Sequence, residues 1–187
     1  MTSRPSICEF GKKAPLFKLK STENEIISLN DIKGENGTLI IFICNHCPYV
    51  IATIKDIVET SFELKKIKIN TVAIMSNDPK DYPEDSFDKM IEFSKKYKFN
   101  FPYLYDEDQS VGINYGALCT PDFFGYNSNL ELQYRGRIFE LNNQVRPRIR
   151  MKNSINELLG AMQMIAKTGS GPKIQIPSVG CSIKWSQ

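Results

Sequence analysis

The chain has 187 residues, 41% of them hydrophobic and 24% charged, and a formal charge of +3. That length buries a full core without staples, and the composition is ordinary for a globular protein, so residues 1–187 are read as one domain. The charge is weak and scattered, which excludes a dedicated nucleic-acid or membrane surface, and no stretch is apolar for long enough to span a bilayer. The opening MTSRPSICEFGKK has no apolar run of signal-peptide length, so the cytoplasm is the expected compartment. In a reducing compartment five cysteines (Cys8, Cys44, Cys47, Cys119 and Cys181) do not make a disulfide framework, and an odd count leaves one thiol without an intramolecular partner.

Residues 1–15 are polar and carry Pro5 and Pro15, and they read as an irregular lead-in. Residues 16–19 and 26–29 are two short strands around the polar turn Ser21 to Glu25, an N-terminal β-hairpin. Asn30 or Asp31 caps a brief helical turn that ends at Gly34. Thr38 to Ile43 is apolar or β-branched without alternation, as in a strand covered on both faces. After Pro48, the positions Val50, Ile51, Ile54, Ile57, Val58 and Phe62 follow the spacing of an amphipathic helix. That helix begins either at Cys44 or at Pro48. Lys68 to Ser76 is the next strand, and a helix from about Asp85 to Tyr97 follows a loop with Pro79 and Pro83. Phe101 to Tyr105 is a short strand, and Asp106 to Tyr115 a short helix that stops at Gly116. Phe123 to Tyr126 and Leu130 to Arg135 form a hairpin-like pair. A basic loop, Val145 to Arg150, precedes a last helix with the stripe Ile155, Leu158, Leu159, Met162 and Ile165, in which Ser154 and Glu157 match a capping box. The tail, residues 169–187, reads as extended. This alternation predicts an α/β fold with a central mixed sheet flanked by helices.

The chemistry concentrates at Cys44-Asn45-His46-Cys47, where a buried strand delivers two thiols to a strand-to-helix turn. Backbone N–H groups and the helix dipole converge there. A thiolate is the reactive form, so a reactive cysteine needs its pKa lowered from about 8.5. Cys44 is expected to be the nucleophile, with His46, the only histidine, tuning it. Cys47, one turn on, is expected to be more buried and to resolve. Cysteines three apart on a helical turn are within disulfide reach, about 5–6 Å. A histidine between the thiols favours the thiolate, stabilises the reduced form and makes the couple more oxidising than a Gly-Pro pair would. No second close cysteine pair or distant histidine completes a closed zinc site, so no metal or other cofactor is expected, although Cys44, His46 and Cys47 could hold copper or zinc as an alternative.

Strand–CxxC–Pro–helix, with Cys119-Thr120-Pro121 before a hairpin strand, resembles the thioredoxin-like superfamily. FICNHCPYV, SNDPKDYPEDS, FPYLYDEDQSVGINYGALCTPDFF and the tail PSVGCSIKW together resemble its peroxiredoxin-like redoxins of the alkyl hydroperoxide reductase/thiol-specific antioxidant group, over most of residues 14–187. The resemblance implies that Pro121 is cis and faces the dithiol, and that the Thr120 backbone binds substrate. It implies disulfide or thiol substrates, protein or small molecule, with peroxide a further possibility, and an external thiol reductant. The departures are specific. Thioredoxins carry Trp before the first cysteine and a buried carboxylate six residues upstream of it; here Ile43 and Thr38 stand there. Peroxiredoxins place Pro seven and Thr or Ser three residues before the peroxidatic cysteine; counted from Cys47, those positions hold Ile40 and Cys44. Arg135 and Arg137 are candidates for the peroxiredoxin arginine, each read as an exposed strand residue. Cys119 is either a third thiol near the centre or a small buried hydrophobe. Cys181 either folds back to resolve a sulfenic acid on Cys44 or Cys47, or packs structurally with Trp185. The leading expectation is a thiol–disulfide oxidoreductase, with a thiol peroxidase as its rival.

Overall fold

The computed structural model describes residues 2–3, 8–145 and 148–186. In chain order the elements are β1 (Thr2–Ser3), β2 (Lys18–Ser21), β3 (Ile26–Ser28), α1 (Leu29–Ile32), β4 (Gly37–Phe42), α2 (Pro48–Lys66), β5 (Ile69–Met75), α3 (Phe87–Lys96), β6 (Tyr103–Tyr105), α4 (Ser110–Tyr115), β7 (Cys119–Thr120), β8 (Asp122–Tyr126), β9 (Leu132–Tyr134), β10 (Leu141–Asn142), β11 (Ile149–Arg150), α5 (Glu157–Thr168) and β12 (Gly180–Ser182). A seven-stranded sheet runs in the order β3-β2-β6-β5-β4-β8-β9. The strands β4, β5 and β6 are parallel, and the outer pairs are antiparallel. The fold is therefore the expected mixed sheet with helices on both faces. The basic loop from Val145 includes residues 146 and 147, which lie outside the described residues.

Strand β4 is buried along its whole length, and its side chains alternate between two cores. Leu39, Ile41 and Ile43 enter a core closed by α2, α3 and α5, which also contains Cys44 and Cys47. Ile40 and Phe42 enter the opposite core with α1, α4 and Cys8. This is why the strand lacks hydrophobic alternation: both faces are covered. Fully burying such an aliphatic side chain stabilises the fold by about 1.5–3 kcal/mol.

Several helix ends differ from expectation for local hydrogen-bonding reasons. Helix α1 is capped by Ser28, whose hydroxyl and backbone N–H form a reciprocal box with Asp31, rather than by Asn30 or Asp31. The cap of α5 is Asn156, whose side-chain oxygen accepts from Leu159 N–H at 2.9 Å, so the Ser154–Glu157 box does not form and Ile155 lies outside the helix, exposed. Helix α4 stops where expected, because Gly116 takes the left-handed conformation (φ 64°) that a side chain resists. The tail is extended, as expected, and also paired: β12 lies between β1 and β7 in a separate three-stranded sheet.

Candidate active site

The turn between β4 and α2 holds the CNHC sequence. Pro48 opens the helix, and Cys47 is its N-cap with extended backbone angles (φ −66°, ψ 122°). A proline pushes the residue before it out of the helical region, and its own missing N–H costs nothing at a first turn. The helix therefore starts at Pro48 and not at Cys44. Its unpaired N-terminal amides face the second cysteine, and Val50 N–H hydrogen-bonds the Cys47 sulfur.

Both thiols are buried, Cys44 1% and Cys47 0% exposed, so accessible area does not separate them as the sequence reading expected. Their surroundings do. Cys44 Sγ lies 3.3 Å from Thr120 Oγ1 and 4.0 Å from His46 Nδ1. Cys47 Sγ lies 3.1 Å from the Thr120 carbonyl oxygen and hydrogen-bonds both Cys44 and Cys181. Thr120–Pro121 is cis, as the resemblance implied, and Thr120 thus contacts both sulfurs. Acidities within the pair are opposite to the sequence expectation. Burial opposes a Cys47 thiolate, but hydrogen bonds from the Cys181 and Cys44 thiols, the Thr120 hydroxyl and Val50 N–H outweigh it and lower its pKa. The Cys44 thiol is raised by its hydrogen bond to Cys47, by burial and by the nearby Asp85 carboxylate.

The proton-handling group that composition and spacing did not show is Asp85. It is completely buried, and its Oδ2 lies 2.7 Å from His46 Nδ1. Its carboxylate also accepts from Asn45 N–H and from Asn77 Nδ2, both at 2.8 Å. The hydrogen bond to Asp85 raises the His46 pKa, so the imidazolium form is favoured beside Cys44. Tyr82 stacks on the His46 ring at 4.9 Å between centroids and 8° between planes. Thr38, where a thioredoxin places its carboxylate, is instead a buried residue of β4 whose hydroxyl accepts from Gly34 N–H at 3.1 Å. The carboxylate arrives from SNDPKDYPEDS, forty residues away. Three other acids, Asp78, Asp81 and Glu84, lie in that segment, and nothing in their spacing marks the one that turns inward.

The other singled-out residues divide clearly. Cys119 is fully buried, its pKa raised by burial and by Asp122, and it behaves as a small buried hydrophobe beside the site. Cys8 belongs to the core on the opposite face, where burial pushes its pKa up to about 11. Arg135 is not exposed: it is 4% accessible, with Nη2 donating to Asp122 Oδ2 at 3.0 Å and to Gly116 O at 2.7 Å. Arg137 is half-buried and paired with Glu157 at 2.7 Å. Neither touches the sulfurs. Cys181 does, and it packs on Cys47 rather than on Trp185, whose ring approaches Gly112.

Cys44, His46 and Asp85 offer ligand atoms within 4.8 Å of one another, and these residues, with Cys47 adjacent, could hold a metal ion. A metal there would compete for the His46 Nδ1 that now bonds Asp85. A cavity of about 210 Å³ is lined by Tyr49, Thr53, Pro121, Phe123 and Phe139, with Arg137 and Glu140 at its wall.

This fold, with a dithiol at a strand-to-helix turn against a cis-proline, defines a thioredoxin-like redoxin. Residues 10–140 match the AhpC/TSA family, and the chain belongs to that family. Over 117 residues, 63% of this chain and 72% of the relative, it is 28% identical to a Coxiella burnetii protein named "Putative peroxiredoxin bcp". The crystal structure of an uncharacterized conserved protein from Geobacillus kaustophilus superposes with a TM-score of 0.91 at 34% identity, covering 100% of this chain and 97% of that one. Peroxidoxin BcpB from Mycobacterium tuberculosis, at a TM-score of 0.58, 14% identity and coverage of 86% and 94%, shares the fold. As a redoxin the protein is a thiol-dependent oxidoreductase or peroxidase.

Proposed function

We propose that the protein is a thiol–disulfide oxidoreductase in which Cys44 attacks, Cys47 resolves and His46 with Asp85 sets the local charge. The observation that carries this reading is the hydrogen-bonded pair of sulfurs at the N-terminus of α2, both in contact with Thr120. A proton crossing from Cys44 to Cys47 makes Cys44 the thiolate. It attacks one sulfur of a substrate disulfide, forming a mixed disulfide and releasing the first substrate thiolate. Cys47, deprotonated, then attacks Cys44 Sγ, closing the Cys44–Cys47 disulfide and releasing the second. Two electrons leave the dithiol, and the substrate takes up two protons. Thr120 and Pro121 present the backbone along which a peptide or small disulfide lies. A thiolate stabilised by this many donors favours the reduced form, which supports an oxidising couple. An external thiol reductant, in the cytoplasm, completes the cycle.

Reduction of insulin or oxidised glutathione tests the reading. Cys44→Ser is expected to lose at least 100-fold in rate, and Cys47→Ser to accumulate a mixed disulfide through Cys44, visible as an added substrate mass. Full activity in Cys44→Ser would sink it. A second reading, a thiol peroxidase, is favoured by the family and by the Thr120 hydroxyl 3.3 Å from Cys44, which supplies from β7 a threonine contact that the local sequence lacks. Rapid consumption of hydrogen peroxide with a trappable sulfenic acid on Cys44 would select it.

A further inference from the structure

The dithiol reaction leaves Cys181 unused, yet the fold holds this residue against Cys47 by independent means. Strands β12 and β7 pair in the register that sets Cys181 opposite Thr120, whose carbonyl contacts Cys47. Gly180 permits that approach: a Cβ there would come within 2.2 Å of the Thr120 carbonyl oxygen. Beyond the strand, Lys184 is tied down by its backbone. Its N–H donates to Asn77 Oδ1, and its carbonyl accepts from Asp78 N–H and Gln109 Nε2, all within 3.0 Å. Cys181 packs against the core that contains Cys44 and Cys47, and its thiol interacts with the Cys47 sulfur. Cys44 and Cys47 are fully buried, whereas Cys181 is partly exposed.

We propose that Cys181 is a third redox thiol that takes over the disulfide from Cys44, so that the oxidised protein alternates between a Cys44–Cys47 and a Cys47–Cys181 bond. The inference rests on the dithiol reading above. In the exchange the Cys181 thiolate attacks Cys47 Sγ; the Cys47–Cys181 bond forms as the Cys44–Cys47 bond breaks, and Cys44 leaves as a thiolate that takes up the proton Cys181 lost. The protein stays oxidised by two electrons, and no outside oxidant is needed. The resting hydrogen bond with Cys47 and partial burial both raise the Cys181 pKa; the first cause disappears once Cys47 is in a disulfide, burial remains, and Lys184 and Arg148 favour the Cys181 thiolate. The external thiol reductant then attacks Cys181, the accessible sulfur, and releases Cys47. A second reductant thiol frees Cys181, leaving three thiols and the oxidised reductant.

Disulfide mapping tests this on the full chain. Cys44→Ser and Cys44→Ala, oxidised with one equivalent of diamide, are each expected to lose two thiols and to yield a linked peptide pair containing Cys47 and Cys181. Wild type is expected to show both this pair and the Cys44–Cys47 disulfide. If Cys47 and Cys181 stay alkylatable in both variants while wild type closes Cys44–Cys47, the relay is overturned and the dithiol reading stands. If wild type never closes Cys44–Cys47, the dithiol reading itself fails, and the relay with it. As a kinetic arm, reduction of the oxidised protein by thioredoxin is expected to slow at least tenfold in Cys181→Ser; an unchanged rate overturns entry of the reductant at Cys181.

Discussion

His46 shows how far the charge of a histidine depends on the groups around it. Its ring nitrogen lies 4.0 Å from the Cys44 sulfur, and Asp85, buried and held by Asn45 and Asn77, favours its charged form. Because the folded pKa of His46 is raised, the His46–Asp85 pair contributes its full stability below the ordinary histidine value of about 6.5 and loses it as pH rises through the folded value. As the only histidine, His46 gives a single titrating imidazole resonance. Asp85→Asn is expected to move that midpoint downward and to flatten the fall in unfolding free energy above pH 6.5. An unmoved midpoint in Asp85→Asn would remove Asp85 from the site's electrostatics.

At the scale of elements, the tail strand β12 completes the site as much as α2 does. It is short, and its place depends on close backbone contact with β7, where Gly180 sits against Thr120. Gly180→Ala is expected to force the two backbones apart at a cost of about 1–3 kcal/mol, the range of overpacking in a tight interior. Urea unfolding measures the cost, and alkylation of Cys181 by iodoacetamide reports the separation as a faster reaction. If stability and alkylation both stay at wild-type values, the tail is not seated by that contact.

Across the whole molecule, the sheet separates the dithiol core from a second core that holds Cys8, and the Arg135–Asp122 pair lies between the strand that follows Pro121 and the end of α4. Burial pushes Asp122 up to about 6 even with the guanidinium beside it, and Arg135 also lies 4.5 Å over the Phe124 ring. Removing one partner of such a pair leaves a buried charge. Arg135→Met is therefore expected to cost about 3–5 kcal/mol, while Arg137→Met, whose ion pair is half-solvated, costs about 1 kcal/mol or less. Chemical denaturation of the two variants separates these values, and equal losses would contradict the burial argument.

The sequence by itself determined the parts whose signal is local. The apolar run before Cys44 reads as a strand covered on both faces, the spacing after Pro48 reads as an amphipathic helix, and the Gly116 stop and the thiol pair at the turn were legible in the same way. The motifs carried the cis-proline and the family. Short-range hydrogen-bond competition already escaped that reading, since Ser28 and Asn156, not their neighbours, cap their helices. What only the tertiary structure decided is which distant groups meet at the sulfurs: the Asp85 carboxylate, the Thr120 hydroxyl and the Cys181 thiol come from three separate segments. Strand register and burial choose them, and neither leaves a periodic trace in the chain. The charge on the dithiol follows from that meeting, because a thiolate forms where donors converge in a dry site, whatever residue stands beside it in sequence.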